Sequence, residues 1–146
     1  MSFSVTTQWS TQASIEGEFN RDHSVTFGSG QTVQASSAPE YKGNQERVNP
    51  EEQLLAALSS CHMLTFLTIA HLKRLPVQTY TDNASAILGK NAAGKIAIVK
   101  LVLKPEIIFQ SGVDVSAEVL EKIHEKAHAN CFIANSLSPE IEVIYS

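Results

Sequence analysis

The chain has 146 residues, of which 43% are hydrophobic and 18% charged, and it carries a formal net charge of −4. A domain of that length buries enough apolar surface to fold without staples, and its two cysteines, Cys61 and Cys131, permit at most one bridge, so a disulfide scaffold is excluded. The composition excludes wholesale disorder, and the acidic balance leaves no electrostatic footprint for nucleic acid. The first residues, Met1 to Trp9, have neither a basic nor an apolar segment, so no secretory signal is expected. The most apolar stretch, Leu54 to Leu72, is interrupted by Ser59, Ser60, His62, Thr65, Thr68 and His71 and reads as a buried helix rather than a membrane span. The expected compartment is the cytosol, where two cysteines are free or catalytic more often than bridged.

In chain order, residues 3 to 36 read as an antiparallel meander. Ser4–Trp9 and Ala13–Phe19 alternate, Asn20–His23 turns, Ser24–Phe27 resumes, Gly28–Gly30 turns again and Gln31–Ala35 follows. Residues 36 to 48 read as a polar loop. The sharpest local signal comes next. Asn49 suits an N-cap, Pro50 the first helical position, and Glu51 and Glu52 the first turn, where the dipole favours acid. Leu54, Leu58, Cys61, Thr65, Thr68 and Leu72 then recur at three or four residues, with Leu55, Leu64 and Ile69 widening the stripe into that of a central helix. Lys73 and Arg74 suit its last turn, and Pro76 stops it. Val77–Leu88 and Lys95–Leu103 read as two strands of a hairpin, with Ile107–Phe109 extending the second past Pro105. Ser116 caps a second helix with Val119, Ile123, Ala127 and Cys131 on one face, and Ile141–Tyr145 alternates as a last strand. No repeat or linker divides the chain, so residues 1–146 are read as one α+β domain.

Both cysteines fall on the apolar stripe of their helix. A lone cysteine there reads as a small buried hydrophobe. A pair is different: if the helices pack, both sulfurs face one seam and can approach. Thiol chemistry then needs a cation to hold one thiol as thiolate and a route from solvent. Arg21, Lys42, Arg47, Lys73 and Arg74 are the basic candidates, and spacing does not select among them.

Four blocks carry a resemblance: Asn20-Arg21-Asp22-His23; Ser36-Ser37-Ala38-Pro39; Asn49-Pro50-Glu51-Glu52 running on to Cys61-His62-Met63-Leu64; and Ala127-His128-Ala129-Asn130-Cys131-Phe132-Ile133-Ala134-Asn135-Ser136. In this order the chain resembles the osmotically induced protein C and organic hydroperoxide resistance (OsmC/Ohr) superfamily, its Arg-Asp-His turn and Cys-His-Met run being closer to the OsmC-like branch. The resemblance implies an OsmC-like fold in an intertwined homodimer and a cysteine peroxidase that reduces organic hydroperoxides to alcohols. It implies Cys61 as peroxidatic and Cys131 as resolving cysteine, with Arg21 holding the thiolate and Glu51 pairing with Arg21. A guanidinium favours thiolate over thiol, and a carboxylate orients its fork. The sulfenic acid formed on attack condenses with the second thiol to a disulfide, which an external dithiol, of lipoyl type by the resemblance, resets. No cofactor or metal is implied, and neither nucleic acid nor membrane is expected as a partner.

Glu51 and Cys61 lie ten residues apart, ~15 Å of rise on a straight helix, too far for one cluster. Either the helix starts after Glu51 and the chain folds back, or a second chain supplies Arg21 and Glu51 in composite sites at a two-fold interface. Plainer readings stand beside these. Arg21 would neutralise Asp22 in a surface turn, and Glu51 would be a first-turn acid like Glu52. His62 points about 100° away from Cys61 and is a poor base for it, which leaves it a structural or pocket-wall residue. His124, His128 and Cys131 have a spacing that with Cys61 could bind zinc, but no CxxC pattern supports it. Two further functions remain open: a non-catalytic redox-responsive or small-molecule-binding dimer using the same pocket, and a zinc-binding structural protein.

Overall fold

The computed structural model describes residues 1–11 and 17–145 and divides them into two compact units, Met1–Gln53 and Leu54–Ser146, where length alone suggests a single domain. The expected strand Ala13–Phe19 lies mostly outside the described residues, and its last part, Gly17–Phe19, is not strand.

In the first unit, β1 (Val5–Gln8), β2 (His23–Phe27) and β3 (Thr32–Ala35) form the expected antiparallel meander in that order. Val25 pairs with Thr7 on one side and Val33 on the other. The loop after β3 is tied down by its own polar groups. Ser36 is fully buried, its backbone N–H donating to Val48 O at 2.9 Å and its hydroxyl accepting from Asn44 N at 3.1 Å. Gly43 has no alternative here: a Cβ would sit 1.6 Å from the Ser37 carbonyl oxygen, inside any tolerable contact.

Helix α1 (Pro50–Leu72) begins just after this loop, and its residues are divided between the two units at Gln53 and Leu54. Its start is a capping box: Glu52 N–H donates to Asn49 Oδ1 at 2.8 Å, and Asn49 N–H donates to Glu52 Oε2 at 3.2 Å. It ends in a Schellman turn with Arg74 left-handed (φ 57°), Leu75 N–H donating to Ala70 O and Arg74 N–H to His71 O. Lys73 and Arg74 therefore lie just past the helix rather than in its last turn.

The second unit departs from the expected hairpin. The run Val77–Leu88 is two strands, β4 (Val77–Asp82) and β5 (Ser85–Lys90), which belong to different sheets. β6 (Ile96–Leu103) pairs antiparallel with β5. β7 (Pro105–Phe109) does not extend β6; it leaves that sheet and pairs antiparallel with β4. Asp82 anchors this exchange, because its carboxylate accepts the Lys104 N–H at 2.7 Å, at the step between β6 and β7. β8 (Glu142–Tyr145) runs parallel to β6 and completes the order β5-β6-β8. Between them come α2 (Ala117–Asn130), whose Ser116 hydroxyl accepts the Val119 N–H at 3.2 Å, and the short α3 (Phe132–Ser136).

Two apolar clusters make the core of this unit. Leu58, Leu101, Leu103 and Cys131 form one, with Cys61, Val143 and Tyr145 against it; Phe66, Ala70, Ile123 and Ala127 form the other. The inward row of α1 is therefore Leu58, His62, Phe66 and Ala70, one residue every four. The expected row through Thr68 and Leu72 is displaced, since both are exposed, as is Val119 on α2.

Candidate functional site

Cys61 projects from the middle of α1, half-buried, at the edge of the first core cluster. Its carbonyl keeps helical geometry and also accepts the Thr65 hydroxyl at 2.8 Å. Cys131 is the junction of α2 and α3, at once the C-cap of one and the N-cap of the other. Its backbone N–H closes α2 onto His128 O, and its sulfur accepts the Ala134 N–H at 3.4 Å. This double cap fixes the sulfur in place, fully buried in the apolar cluster against which Cys61 packs. Both are free thiols.

The two are chemically unequal. Burial, and then the bond to Cys61, push the Cys131 thiol up to about 11, against the opposing pull of the Ala134 N–H. Cys131 thus holds its proton at neutral pH. Cys61 is the half-buried residue of the two; Cys131 is enclosed in the core.

Arg21 belongs to the first unit. Its guanidinium lies 3.0 Å from Glu18 Oε2, donates to Phe19 O at 2.7 Å and stands 3.9 Å from the centre of the Phe19 ring, a cation–π contact. Lys42 engages the other oxygen of Glu18. Bonds from Lys42 and then Arg21 hold the Glu18 carboxyl below the usual carboxylate range. Arg21 also lines a cavity of about 430 Å3 whose walls include Trp9, Phe19, His23 and Pro50. The pairing of Arg21 with Asp22 is not made: Arg47 pairs with Asp22 at 3.3 Å. Among the described residues the carboxylate on Arg21 is that of Glu18.

Glu51 sits in the first turn of α1 with Oε2 buried and, among the described residues, without a hydrogen-bond partner. This separates it from Glu52, whose carboxylate closes the capping box. The helix is continuous from Pro50, which removes the option of a fold-back between Glu51 and Cys61. The four expected residues therefore fall into one joined pair, Cys61 with Cys131, and two others, Arg21 and Glu51, each set in its own surroundings.

Two features escape the sequence reading. Glu18 and Phe19 orient Arg21 but lie in a stretch read as strand. His62 meets His124, Nε2 to Nδ1 at 3.0 Å, both rings buried. The four-residue step Leu58-His62-Phe66-Ala70 was the available signal for that inward histidine. Among the described residues no group of three or more His, Cys, Asp and Glu side chains is arranged to hold a metal ion; His124 turns to His62 and Cys131 to Cys61.

A family model described as OsmC-like protein matches residues 43–146. An OsmC-like protein of unknown function from Vibrio cholerae has a solved structure that is 40% identical, with a TM-score of 0.93 over 100% of this chain and 98% of that one. An organic hydroperoxide resistance protein from Elizabethkingia anophelis is 20% identical, with a TM-score of 0.77 over 99% of this chain and 94% of that one. The uncharacterized protein YmaD of Bacillus subtilis is 24% identical over 126 residues, 85% of this chain and 83% of its own length.

Proposed function

The chain belongs to the OsmC-like protein family, and from that premise we propose that it is a thiol peroxidase for organic hydroperoxides. The observation that carries this reading is two free thiols of unequal burial gathered at one apolar cluster, Cys61 half-buried and Cys131 at 0% exposure. The Cys61 thiolate attacks the nearer peroxide oxygen, the O–O bond breaks, and the alkoxide leaves as alcohol after taking a proton. Cys61 is left as sulfenic acid. The Cys131 thiol, at the same cluster, condenses with it, releasing water and forming the Cys61–Cys131 disulfide. A dithiol, of lipoyl type in our reading, reduces that disulfide and is itself oxidised. No cofactor enters this cycle, and it suits a reducing compartment such as the cytosol.

Arg21 and Glu51 enter through a second copy of the chain. On the unbroken α1, Glu51 stands ~15 Å along the axis from Cys61 of its own chain, beyond hydrogen-bond reach. In a two-fold dimer, the other copy's Arg21 would steady the Cys61 thiolate and its Glu51 would orient the guanidinium, giving the buried Oε2 of Glu51 the donor it lacks among the described residues of one chain. The apolar walls beside Arg21 suit the organic part of the peroxide.

The test is single-turnover and steady-state consumption of cumene hydroperoxide with dithiol and monothiol reductants. Cys61→Ser is expected to abolish consumption. Cys131→Ser is expected to complete one turnover and then stall or over-oxidise. If no thiol-dependent consumption occurs while Cys61 remains alkylatable, the peroxidase reading fails. The alternative of a redox-responsive or small-molecule-binding dimer, which draws on the cavity at Arg21, then takes its place.

A further inference from the structure

Beside the cysteine pair the same two helices share a second contact that the proposed chemistry does not use. His62 follows Cys61 on α1, and His124 lies on α2, the helix that Cys131 caps. Their ring nitrogens, Nε2 of His62 and Nδ1 of His124, are 3.0 Å apart, and the rings are nearly parallel, 9° between planes. His62 is 1% exposed and His124 7%. One nitrogen of the two carries the hydrogen and the other accepts it, so the bond needs at least one neutral ring. Tyr145 of β8 lies over His62 with centroids 5.5 Å apart, over His128 at 5.1 Å, and also packs against the cluster that holds Cys131 and Cys61. Phe66 closes the other side, 4.7 Å from the His124 ring. Two neutral imidazoles facing each other in an apolar setting are an unusual use of core volume, and they stand where α1 must be held against α2.

The geometry points to His62 and His124 as a positioning latch for the thiol pair: their bond holds α1 on α2 so that Cys61 and Cys131 stay together at one apolar cluster, and it thereby sets how readily the disulfide forms. The inference deepens the peroxidase reading but rests on it only for its place in the cycle. The step it governs is Cys61–SOH plus Cys131–SH giving the disulfide and water; the attack on peroxide, made at Cys61 alone, does not depend on α2. Apolar packing of Phe66, Ala70, Ile123 and Ala127 joins the helices without direction, whereas a hydrogen bond specifies one azimuth and one register. A sulfur that must meet another within bonding distance needs that specificity.

Two variants separate the bond from the ring that carries it. His124→Phe keeps an aromatic ring and loses the nitrogen; His124→Asn keeps a hydrogen-bonding atom near the Nδ1 position and loses the ring. Each is equilibrated with glutathione redox buffers to obtain the effective concentration of the Cys61–Cys131 pair, with the folded fraction followed by circular dichroism. The equilibrium transfers two electrons from the protein dithiol to oxidised glutathione, giving the protein disulfide and two reduced glutathiones. It involves no peroxide, so its outcome is independent of the peroxidase reading. The expected effective concentration falls about tenfold in His124→Phe, the scale of one lost hydrogen bond, and stays within about threefold of the parent in His124→Asn. In a peroxide single turnover, His124→Phe is expected to slow the disulfide step and leave sulfenate formation unchanged. A folded His124→Phe with the parent's effective concentration overturns the latch. So does a folded His124→Asn that loses tenfold. Either variant alone therefore decides the question if the other does not fold.

Discussion

At the scale of single residues, burial decides roles that residue type leaves open. Cysteine is a small hydrophobe or a nucleophile according to what surrounds it. Cys131 is enclosed, double-capped and held as a thiol, while Cys61 keeps an opening. The same enclosure acts on the histidines. Burial first, then the neighbouring His124 and His128, lower His62 to about 4, with Asp82 pulling weakly the other way; burial lowers His124 as well. The unfolded chain binds these protons near the ordinary 6.5, so between that value and about 4 the unfolded state holds more protons than the folded one. Stability is therefore expected to fall as pH drops from about 6.5 to about 4 and to level off below, at up to about 1.4 kcal/mol per pH unit for one fully titrating ring. Denaturant titrations of the parent and His62→Gln across that range check it. The parent should lose more stability on acidification, and equal slopes would show that His62 titrates alike in both states. Cys61 and Cys131 were legible as a pair because each sits in a motif block. The His62–His124 bond was not, because a histidine on a helix stripe carries no mark of what the facing helix presents to it.

At the scale of elements, local chemistry was read well wherever it is local. The start of α1 was legible from Asn49-Pro50-Glu51-Glu52, since caps, proline position and dipole act within one turn. Asn49→Ala removes the Oδ1 acceptor of the Glu52 N–H and is expected to destabilise the protein by about 1 kcal/mol, seen as a lower Tm with peroxide chemistry per folded chain retained. The start of α2 at Ser116 was legible for the same reason, as was a hairpin connection between Leu88 and Lys95, which the structure narrows to Asn91–Gly94. In that turn the Asn91 side chain accepts the Ala93 and Lys95 N–H groups, and Gly94 takes φ 74°. The split of Val77–Leu88 into β4 and β5 was not legible. Nothing in that run says that Asp82 anchors the Lys104 N–H and that β7 crosses to pair with β4. Strand partners are set by distant residues, and a β-rich run alone does not name its neighbour.

At the scale of the whole molecule, α1 is the feature from which we infer a second copy. It is long and apolar enough to cross a membrane by length and composition, with a mean hydropathy of 1.5 in its most apolar window, yet only 22% of that window is buried within the chain. Leu64 is 60% exposed and Leu72 76%. The expectation of a helix buried in its own core is corrected to one with a narrow inward row and a wide uncovered face. In our reading that face meets the same face of another chain, in the dimer that also brings Arg21 and Glu51 to Cys61. Peroxidase activity per chain is then expected to fall on dilution in step with the dimer fraction measured by sedimentation. Leu64→Glu is expected to move both midpoints together to at least about tenfold higher protein concentration, the scale of one buried leucine lost and one charge introduced. Constant activity per chain in a demonstrably monomeric regime would rule out composite sites.

By itself the sequence determined the family, the class α+β, the caps and ends of the helices, and the two cysteines as the centre of interest, because these rest on short-range backbone chemistry and on contiguous motif blocks. Which sulfur is enclosed, that Arg21 rests on Glu18 and Phe19, that Glu51 has a buried oxygen without a partner among the described residues, and which row of α1 faces inward came from the packed fold alone. Burial and hydrogen-bond partnership are relations between residues far apart in the chain, and they take definite values only when the helices have packed.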